Sequence, residues 1–168
     1  MKNRAFIILI LLAVLVFLGA YIIRAISSRE IDDVSPAVPC SEEILMKSDI
    51  LWVVPVFENV SIVDYPEWCE YILGLNKSLG LHGVHHTFEE FDYDRNVSYL
   101  NIGADYFEKC FGFKPNLFKP PHLALSEKNK KIIEEQGYRV KGKFNQIIHK
   151  VYHCGDSGRF SNKFIDLF

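Results

Sequence analysis

The sequence lacks the charge pattern of a protein that binds nucleic acid. Its 19 lysines and arginines are offset by 21 acidic residues, which leaves a formal net charge of only -2. No cluster of basic residues interleaved with aromatic ones is present to bind phosphates and bases. Low-complexity tracts and internal repeats are also absent, and hydrophobic residues make up 49% of the chain. This composition excludes extensive disorder and a nucleic-acid partner, and it is typical of one folded domain with a sizeable core.

Cysteine is scarce and widely spaced. The four cysteines form no C-x-x-C pair; they are Cys40, Cys69, Cys110 and Cys154. An even number of cysteines can form disulfides in an oxidising compartment, and four residues allow three pairings. Cysteines also occur as small buried hydrophobic residues. The sequence leaves both interpretations open.

One long segment lacks charge altogether. From Ala5 to Ile23 the sequence is AFIILILLAVLVFLGAYII. About 19 helical residues, each rising ~1.5 Å, nearly match a hydrocarbon core of ~30 Å, so the segment is predicted to span a membrane. A cleaved signal peptide is the alternative. Its apolar region usually has only ~7–15 residues, and the A-x-S-like site that ends at Ser27 lies beyond Arg24.

The charges around this segment predict its orientation. Lys2 and Arg4 precede it, whereas Arg24 and Arg29 behind it are soon followed by Glu30, Asp32 and Asp33. The positive-inside rule therefore places the N-terminus in the cytoplasm and the rest of the chain outside the cell. We expect a cytoplasmic tip and membrane anchor over residues 1–27 and one extracellular domain over residues 28–168.

Beyond the anchor, strand-like apolar runs alternate with helical patterns. The run 50–57 predicts a buried strand, and the segment 64–67 resembles a capping box for a helix that Gly80 would end. Strands are predicted next at 81–86, 116–120 and 138–142. One helix is predicted at 102–111, and a second begins after its cap, Ser126, and ends at Gly137. This order predicts an α/β fold with a parallel sheet, open or closed into a partial barrel.

Polar residues follow three of the predicted strands. Asp32 and Asp33 end the first strand, His82 and His86 lie at the end of the third, and the segment 119–122, KPPH, ends the fourth. Because parallel strands end at one rim, these groups are expected to converge. A carboxylate and two imidazoles suffice for a catalytic zinc, and adjacent carboxylates can divide into a metal ligand and a free base.

These groups also have ordinary structural interpretations. Histidines are often hydrogen-bonded structural residues, and the aspartates could instead cap a helix after Ser35 and Pro36. Glu89 and Glu90 could orient a metal-binding histidine or form a solvated charge pair. His85 is expected to point away from the site.

In their order and spacing, Asp32-Asp33, His82-x-x-x-His86 and Lys119-Pro120-Pro121-His122 resemble three motifs of the polysaccharide deacetylase superfamily. The resemblance is to the NodB-homology type, in its divergent branch of predicted deacetylases, and spans roughly residues 30–155. It implies a reduced or deformed (β/α) barrel behind the transmembrane helix. It also implies a hydrolase that uses a divalent metal, usually zinc, to remove N- or O-acetyl groups from carbohydrate.

The resemblance further implies a metal site and a general base. Asp33, His82 and His86 would bind the metal, and Asp32 would accept the proton of the attacking water. Lys119 stands where the family commonly has an arginine that orients this base. Lysine lacks the forked geometry that holds a carboxylate through two hydrogen bonds.

The remaining roles fall on the third motif and on a late strand. The backbone N–H of His122 is the local candidate for stabilising an oxyanion, because Pro120 and Pro121 have none. A late histidine would protonate the leaving group, and His153 fits this role better than His149. His122 and Leu123 replace the usual aromatic residue and glycine, and the domain is short for this fold.

The predicted function is acetyl removal from an N- or O-acetylated glycan at the cell surface. Asp32 follows Ile23 by nine positions, and an extended segment of that length reaches at most ~30 Å, so the site is expected near the bilayer. One alternative is an inactive glycan-binding module with the same fold. Another is a different metal-assisted amidase or esterase.

Overall fold

The computed structural model describes residues 2–167. The strands are β1 (Arg29–Val34), β2 (Ile50–Val53), β3 (Val56–Phe57), β4 (Val60–Ser61), β5 (Ser78–Leu81), β6 (Leu117–Phe118), β7 (Arg139–Val140) and β8 (Lys150–His153). The helices are α1 (Lys2–Ile26), α2 (Glu42–Lys47), α3 (Pro66–Gly74), α4 (Val97–Phe111), α5 (Glu127–Glu135), α6 (Lys143–Ile148) and α7 (Asn162–Leu167).

Six strands form one parallel sheet in the order β7-β6-β5-β2-β1-β8. The short strands β3 and β4 form a separate antiparallel pair. Over residues 2–167 no pairing joins β7 to β8, so the sheet stays open instead of closing into a barrel. The predicted α/β fold with a parallel sheet is thus confirmed, in the open one of the two forms that the sequence allowed.

The sheet and the helices enclose one apolar core. Ile31, Leu51 and Leu81 come from adjacent strands and are fully buried. Helix α4 contributes Leu100 and Phe107, which lie on one face because they are seven positions, two helical turns, apart. The core therefore fixes the three strands β1, β2 and β5 against α4, and with them the polar residues at their ends.

Two disulfides connect distant parts of the chain. Cys40 pairs with Cys154, which links the loop after β1 to the turn after β8. Cys69 pairs with Cys110, which links α3 to α4. Of the pairings that the sequence left open, the structure thus selects one and uses all four cysteines.

Helix α1 contains a stretch, Phe6–Ile26, that is long and apolar enough to cross a membrane. The rest of the chain buries none of this stretch of 21 residues. The end of α1 still contacts the domain, because the Arg24 guanidinium donates hydrogen bonds to backbone carbonyls of Gln146 and Ile147 in α6.

Some local predictions were wrong. The predicted strand 50–57 ends at Val53 and continues only as the short β3, with Pro55, which lacks a backbone N–H, between them. The predicted capping box does not form, because Asp64 ends a 3-10 turn and Tyr65 is the N-cap of α3 without a side-chain hydrogen bond; Pro66 begins α3, which ends at Gly74. Gly80 lies inside β5, where a Cβ atom would come within 2.3 Å of the Trp52 ring, so its small size serves packing. The predicted strand 81–86 ends at Leu81, so His82 begins a loop.

Other predictions were confirmed. The Ser126 side chain caps α5 by accepting a hydrogen bond from the backbone N–H of Asn129. Asp32 and Asp33 cap no helix, because the next one, α2, starts at Glu42 after Ser41. Both aspartates lie in β1 instead.

Candidate metal centre

The predicted site residues come together at one edge of the sheet. Asp32 and Asp33 lie near the carboxyl end of β1, and His153 is the last residue of β8. His82 directly follows β5, and Lys119 directly follows β6. Because all these strands are parallel, their polar ends meet at the same edge.

Asp33, His82 and His86 form a group that could hold a metal ion. Their ligand atoms all lie within 4.8 Å of one another. Asp33 Oδ1 is 2.8 Å from His86 Nε2 and 3.6 Å from His82 Nε2. One carboxylate and two imidazoles are a donor set that suits zinc and leaves a coordination position open.

The protonation of this group favours an anionic ligand. Burial alone would raise the pKa of Asp33, but hydrogen bonds from His82 and His86, together with their charges, hold it well below its usual range. Burial lowers the pKa of His86, yet the hydrogen bond and charge of Asp33 outweigh it, so the net pKa is raised. Asp33 therefore stays ionised, and His86 must lose its proton to bind a cation.

Neighbouring groups orient two of the three candidate ligands. His82 Nδ1 is 2.9 Å from the backbone oxygen of Lys119. With a cation bound, a neutral ring whose Nδ1–H donates to that carbonyl would present its Nε2 lone pair to the cation. The Ser157 hydroxyl donates to Asp33 Oδ2 over 2.9 Å. Both ligands are thus held in place by the protein itself.

Glu90 organises the loop that carries the two histidines. Its buried carboxylate accepts hydrogen bonds from the backbone N–H groups of Val84, His85 and His86 and, at 2.5 Å, from the Tyr99 hydroxyl. Of the two interpretations left open for Glu90, a solvated charge is wrong. Glu90 positions the backbone of His85 and His86, whereas the sequence had suggested that it orients a histidine ring.

This loop also contains unusual backbone conformations. Gly83 has φ +69°, and a Cβ there would come within 2.3 Å of Glu90 Oε2. His86 has φ 54° despite its side chain, as does His122 on the neighbouring turn. Residues other than glycine are strained when their backbone has such a positive φ, and residues of this kind cluster at functional sites.

A buried ion pair lies behind Asp32. Lys119 Nζ is 2.7 Å from Asp32 Oδ1 and 3.2 Å from Glu30 Oε2, and the Lys119 and Glu30 side chains are fully buried. Glu30 also accepts a hydrogen bond from Trp52 Nε1 at 2.8 Å and contacts His149 Nδ1. No sequence motif indicated Glu30 as part of the site, although positions 30 and 32 of a strand share one face.

His153 and His149 lie in different surroundings. His153 lines the cleft, and its Nε2 is 3.7 Å from Asp32 Oδ2. Its Nδ1 is buried without a hydrogen-bond partner among the described residues, and Gly158 packs against the ring. His149 does not line the cleft, and its Nδ1 contacts the Glu30 carboxylate instead. His153 is therefore the better placed of the two for proton transfer.

The cleft over the site has a volume of about 720 Å³. Its lining includes the candidate ligands Asp33, His82 and His86, and also Arg24, Gln146 and Arg159. His122 also lines it, with its exposed ring centred 5.3 Å from that of His86. Partial desolvation of this ring and the nearby charge of His86 hold the pKa of His122 below its usual value.

Comparison with known proteins supports the fold. No protein-family model and no curated protein matches the chain. Among solved structures, a peptidoglycan N-acetylglucosamine deacetylase bound to a substituted benzamide is similar with a TM-score of 0.51 and 13% identity, over 67% of this chain and 54% of that one. The polysaccharide deacetylase Bc1974 from Bacillus cereus has a TM-score of 0.49 and 14% identity over 70% of both chains. A pseudoenzyme of the CE4 family from Bacillus anthracis has a TM-score of 0.42 and 14% identity over 54% of this chain and 31% of that one.

The molecule is thus an α/β protein with a carboxylate–histidine cluster at the carboxyl edge of its sheet. Its fold is similar to that of a peptidoglycan N-acetylglucosamine deacetylase, in agreement with the fold that the sequence resemblance implies. The match covers about half the length of the peptidoglycan deacetylase, and at 13% identity it establishes the fold alone.

Proposed function

We propose that this protein is a metal-dependent hydrolase that removes acetyl groups from an N- or O-acetylated carbohydrate. The proposal depends chiefly on one observation, a group of three residues that could hold a metal ion, beside a second carboxylate, Asp32, that contacts Lys119. The deacetylase fold supports the same reaction class.

The donor atoms fit zinc or another divalent transition metal. Asp33 Oδ1 and the Nε2 atoms of His82 and His86 would hold it, because all three converge and Asp33 is anionic. When bound, the cation supplies Lewis-acid chemistry, which polarises the acyl carbonyl and makes water more acidic.

Asp32 is the proposed general base. Lys119 occupies Oδ1, while Oδ2 faces His82 and His153 at 4.0 and 3.7 Å and can accept the proton of the attacking water. Glu30 also contacts Lys119 Nζ, so the orientation of the base depends on a buried residue outside the three motifs.

The leaving group needs a proton, and His153 is the proposed donor. Its Nε2 is close to Asp32 in the cleft, so it can donate to the departing amine nitrogen or alcohol oxygen. His122, on the turn that follows Lys119, is the proposed site of the backbone N–H that stabilises the oxyanion.

The proposed location is the outer face of a membrane. Residues 1–27 would form the cytoplasmic tip and single-pass anchor, and residues 28–168 the extracellular domain. The length and apolar character of Phe6–Ile26 support anchoring, and the charges near its two ends support this orientation. The partners are then the acetylated glycan and the lipid bilayer.

Acetate release tests the function. Full-length protein in liposomes, supplied with zinc, is assayed on a panel of N- and O-acetylated oligosaccharides. Asp32→Asn should retain zinc and lower kcat by ~10²–10⁴-fold, as expected for loss of a general base. Equal rates in both proteins would refute the assignment of Asp32. Zinc binding without acetate release from any substrate would favour the inactive glycan-binding module, and release of another acyl group would favour a different amidase or esterase.

A further inference from the structure

The short helix α6 is attached to the end of α1. Arg24 Nη1 donates hydrogen bonds to the backbone oxygens of Gln146 at 3.3 Å and Ile147 at 2.8 Å. Both carbonyls belong to the last turn of α6, where backbone oxygens lack partners within the helix. A cation at this end also interacts favourably with the helix dipole.

Helix α6 also presents apolar side chains to the outside. Phe144 and Ile147 are 72% and 69% exposed, and no residue of α6 is buried. The two side chains share a face because they are three positions apart. At the end of α1, Ile26 is 79% exposed as well. Exposed apolar side chains that cluster in this way indicate a contact surface.

We propose that α6 lies on the surface of the bilayer that α1 spans, with Phe144 and Ile147 inserted at the boundary between headgroups and acyl chains. The proposal rests on the membrane anchoring proposed above. The bilayer is the favoured occupant because Arg24 is in the last turn of the apolar stretch and joins α6 to the level where that stretch ends.

Two further features of the contact fit a lipid surface. Tyr21, one turn before Arg24, is half exposed, and tyrosines are enriched where a spanning helix enters the headgroup region. Lys143 begins α6 and is exposed beside the apolar face. Aromatic and aliphatic side chains next to lysine and arginine are typical of helices that lie in the interface plane.

The position of α6 has a consequence for the substrate. Arg24 and Gln146 line the same cleft as the metal-binding residues, so membrane contact by α6 brings one part of that cleft to the lipid surface. The class of substrate that fits is an acetylated sugar presented at the membrane, for example on a lipid carrier.

Depth-dependent fluorescence quenching tests the contact. The four native cysteines are paired, so a cysteine introduced by Phe144→Cys can be labelled with an environment-sensitive fluorophore without reduction. The full chain is placed in liposomes that contain lipids brominated on their acyl chains. Phe88→Cys is the matched control, because Phe88 is 69% exposed but lies beside His122.

We expect the label at position 144 to lose fluorescence, because it should lie roughly 5–10 Å into the boundary between headgroups and acyl chains. The label at position 88 should lose little fluorescence. Adding Arg24→Gln should reduce the quenching at 144, because it removes the link between α1 and α6. An unquenched label at 144 in protein that resists alkaline extraction would overturn the proposal while leaving the anchor intact. Protein that extracts into the aqueous phase would overturn both. Emission that depends on protein concentration but not on bromine would assign the surface to a second copy of the chain.

Discussion

Lys119 Nζ lies 2.7 Å from Asp32 Oδ1, in a place where water has almost no access to either side chain. The same ammonium is 3.2 Å from Glu30, so one buried cation lies between two carboxylates. This arrangement fixes Asp32, the proposed base, through its Oδ1 and leaves its Oδ2 facing the cleft.

Removing that cation should destabilise the domain strongly. Lys119→Met leaves Glu30 and Asp32 buried without their partner, and loss of one member of a buried pair typically costs ~3–5 kcal/mol. Lys128→Met is the control, because its ion pair with Asp94 is exposed and worth only ~0–1 kcal/mol. Denaturant unfolding of both variants measures the difference, and equal losses of stability would show that the buried pair is not special.

The two histidines at positions 82 and 86 should be required for metal binding. Purified protein is expected to contain about one zinc per chain, since three protein ligands make a catalytic-type site. His82→Ala/His86→Ala should lose it, whereas His85→Ala should keep it, because the His85 ring lies near Tyr99 instead. Elemental analysis after zinc loading decides. Metal retained by the double variant, or absent from all three proteins, would contradict the assigned ligands.

The metal-free protein should be most stable in mildly acidic solution. The pKa of His86 is raised from 6.5, so its contribution is complete below that value and is lost as pH rises through the higher folded-state pKa. The pKa of Asp33 is lowered from 3.8, so its contribution is present above that value and is lost as pH falls.

Thermal unfolding in chelator should therefore give the highest Tm between pH 3.8 and 6.5 and a falling Tm above this range. His86→Ala should flatten the alkaline fall, and an unchanged fall in that variant would assign the effect to another group. Zinc affinity should show the opposite trend and rise with pH, because the ligand must be the neutral imidazole.

The disulfide next to the proposed acid should contribute more stability than the other one. Cys40 and Cys154 are 114 positions apart, and Cys69 and Cys110 are 41 apart. Loop-closure entropy then predicts losses of ~5 and ~4 kcal/mol when each pair is replaced by serines. Only Cys40→Ser/Cys154→Ser should also reduce acetate release, because Cys154 directly follows His153. A larger effect of the other pair on either property would reject this ranking.

Several parts of the site could be predicted because they depend on local sequence. Asp32, His82 and Lys119 each lie at the carboxyl end of a strand, and parallel strands bring their ends together whatever the details of packing. Ser126 capped a helix as expected because an N-cap involves only the next few residues.

Other parts could not be predicted because they join residues far apart in the chain. Glu30 acts through Lys119, 89 positions away, and nothing near Glu30 indicates this partner. Gly80 resembled a helix end, but its small size is required by the Trp52 ring on the neighbouring strand. Glu90 contacts histidine backbone through a turn whose left-handed residues have no sequence signature of their own.

The sequence by itself determined the α/β class, the apolar N-terminal helix and which strand ends carry the reactive groups, because periodicity and composition express these features directly. Tertiary structure alone decided that the sheet stays open, how the four cysteines pair and that Glu30 holds Lys119. Burial selects these arrangements, since a buried charge or thiol takes the partner that the folded chain brings within reach.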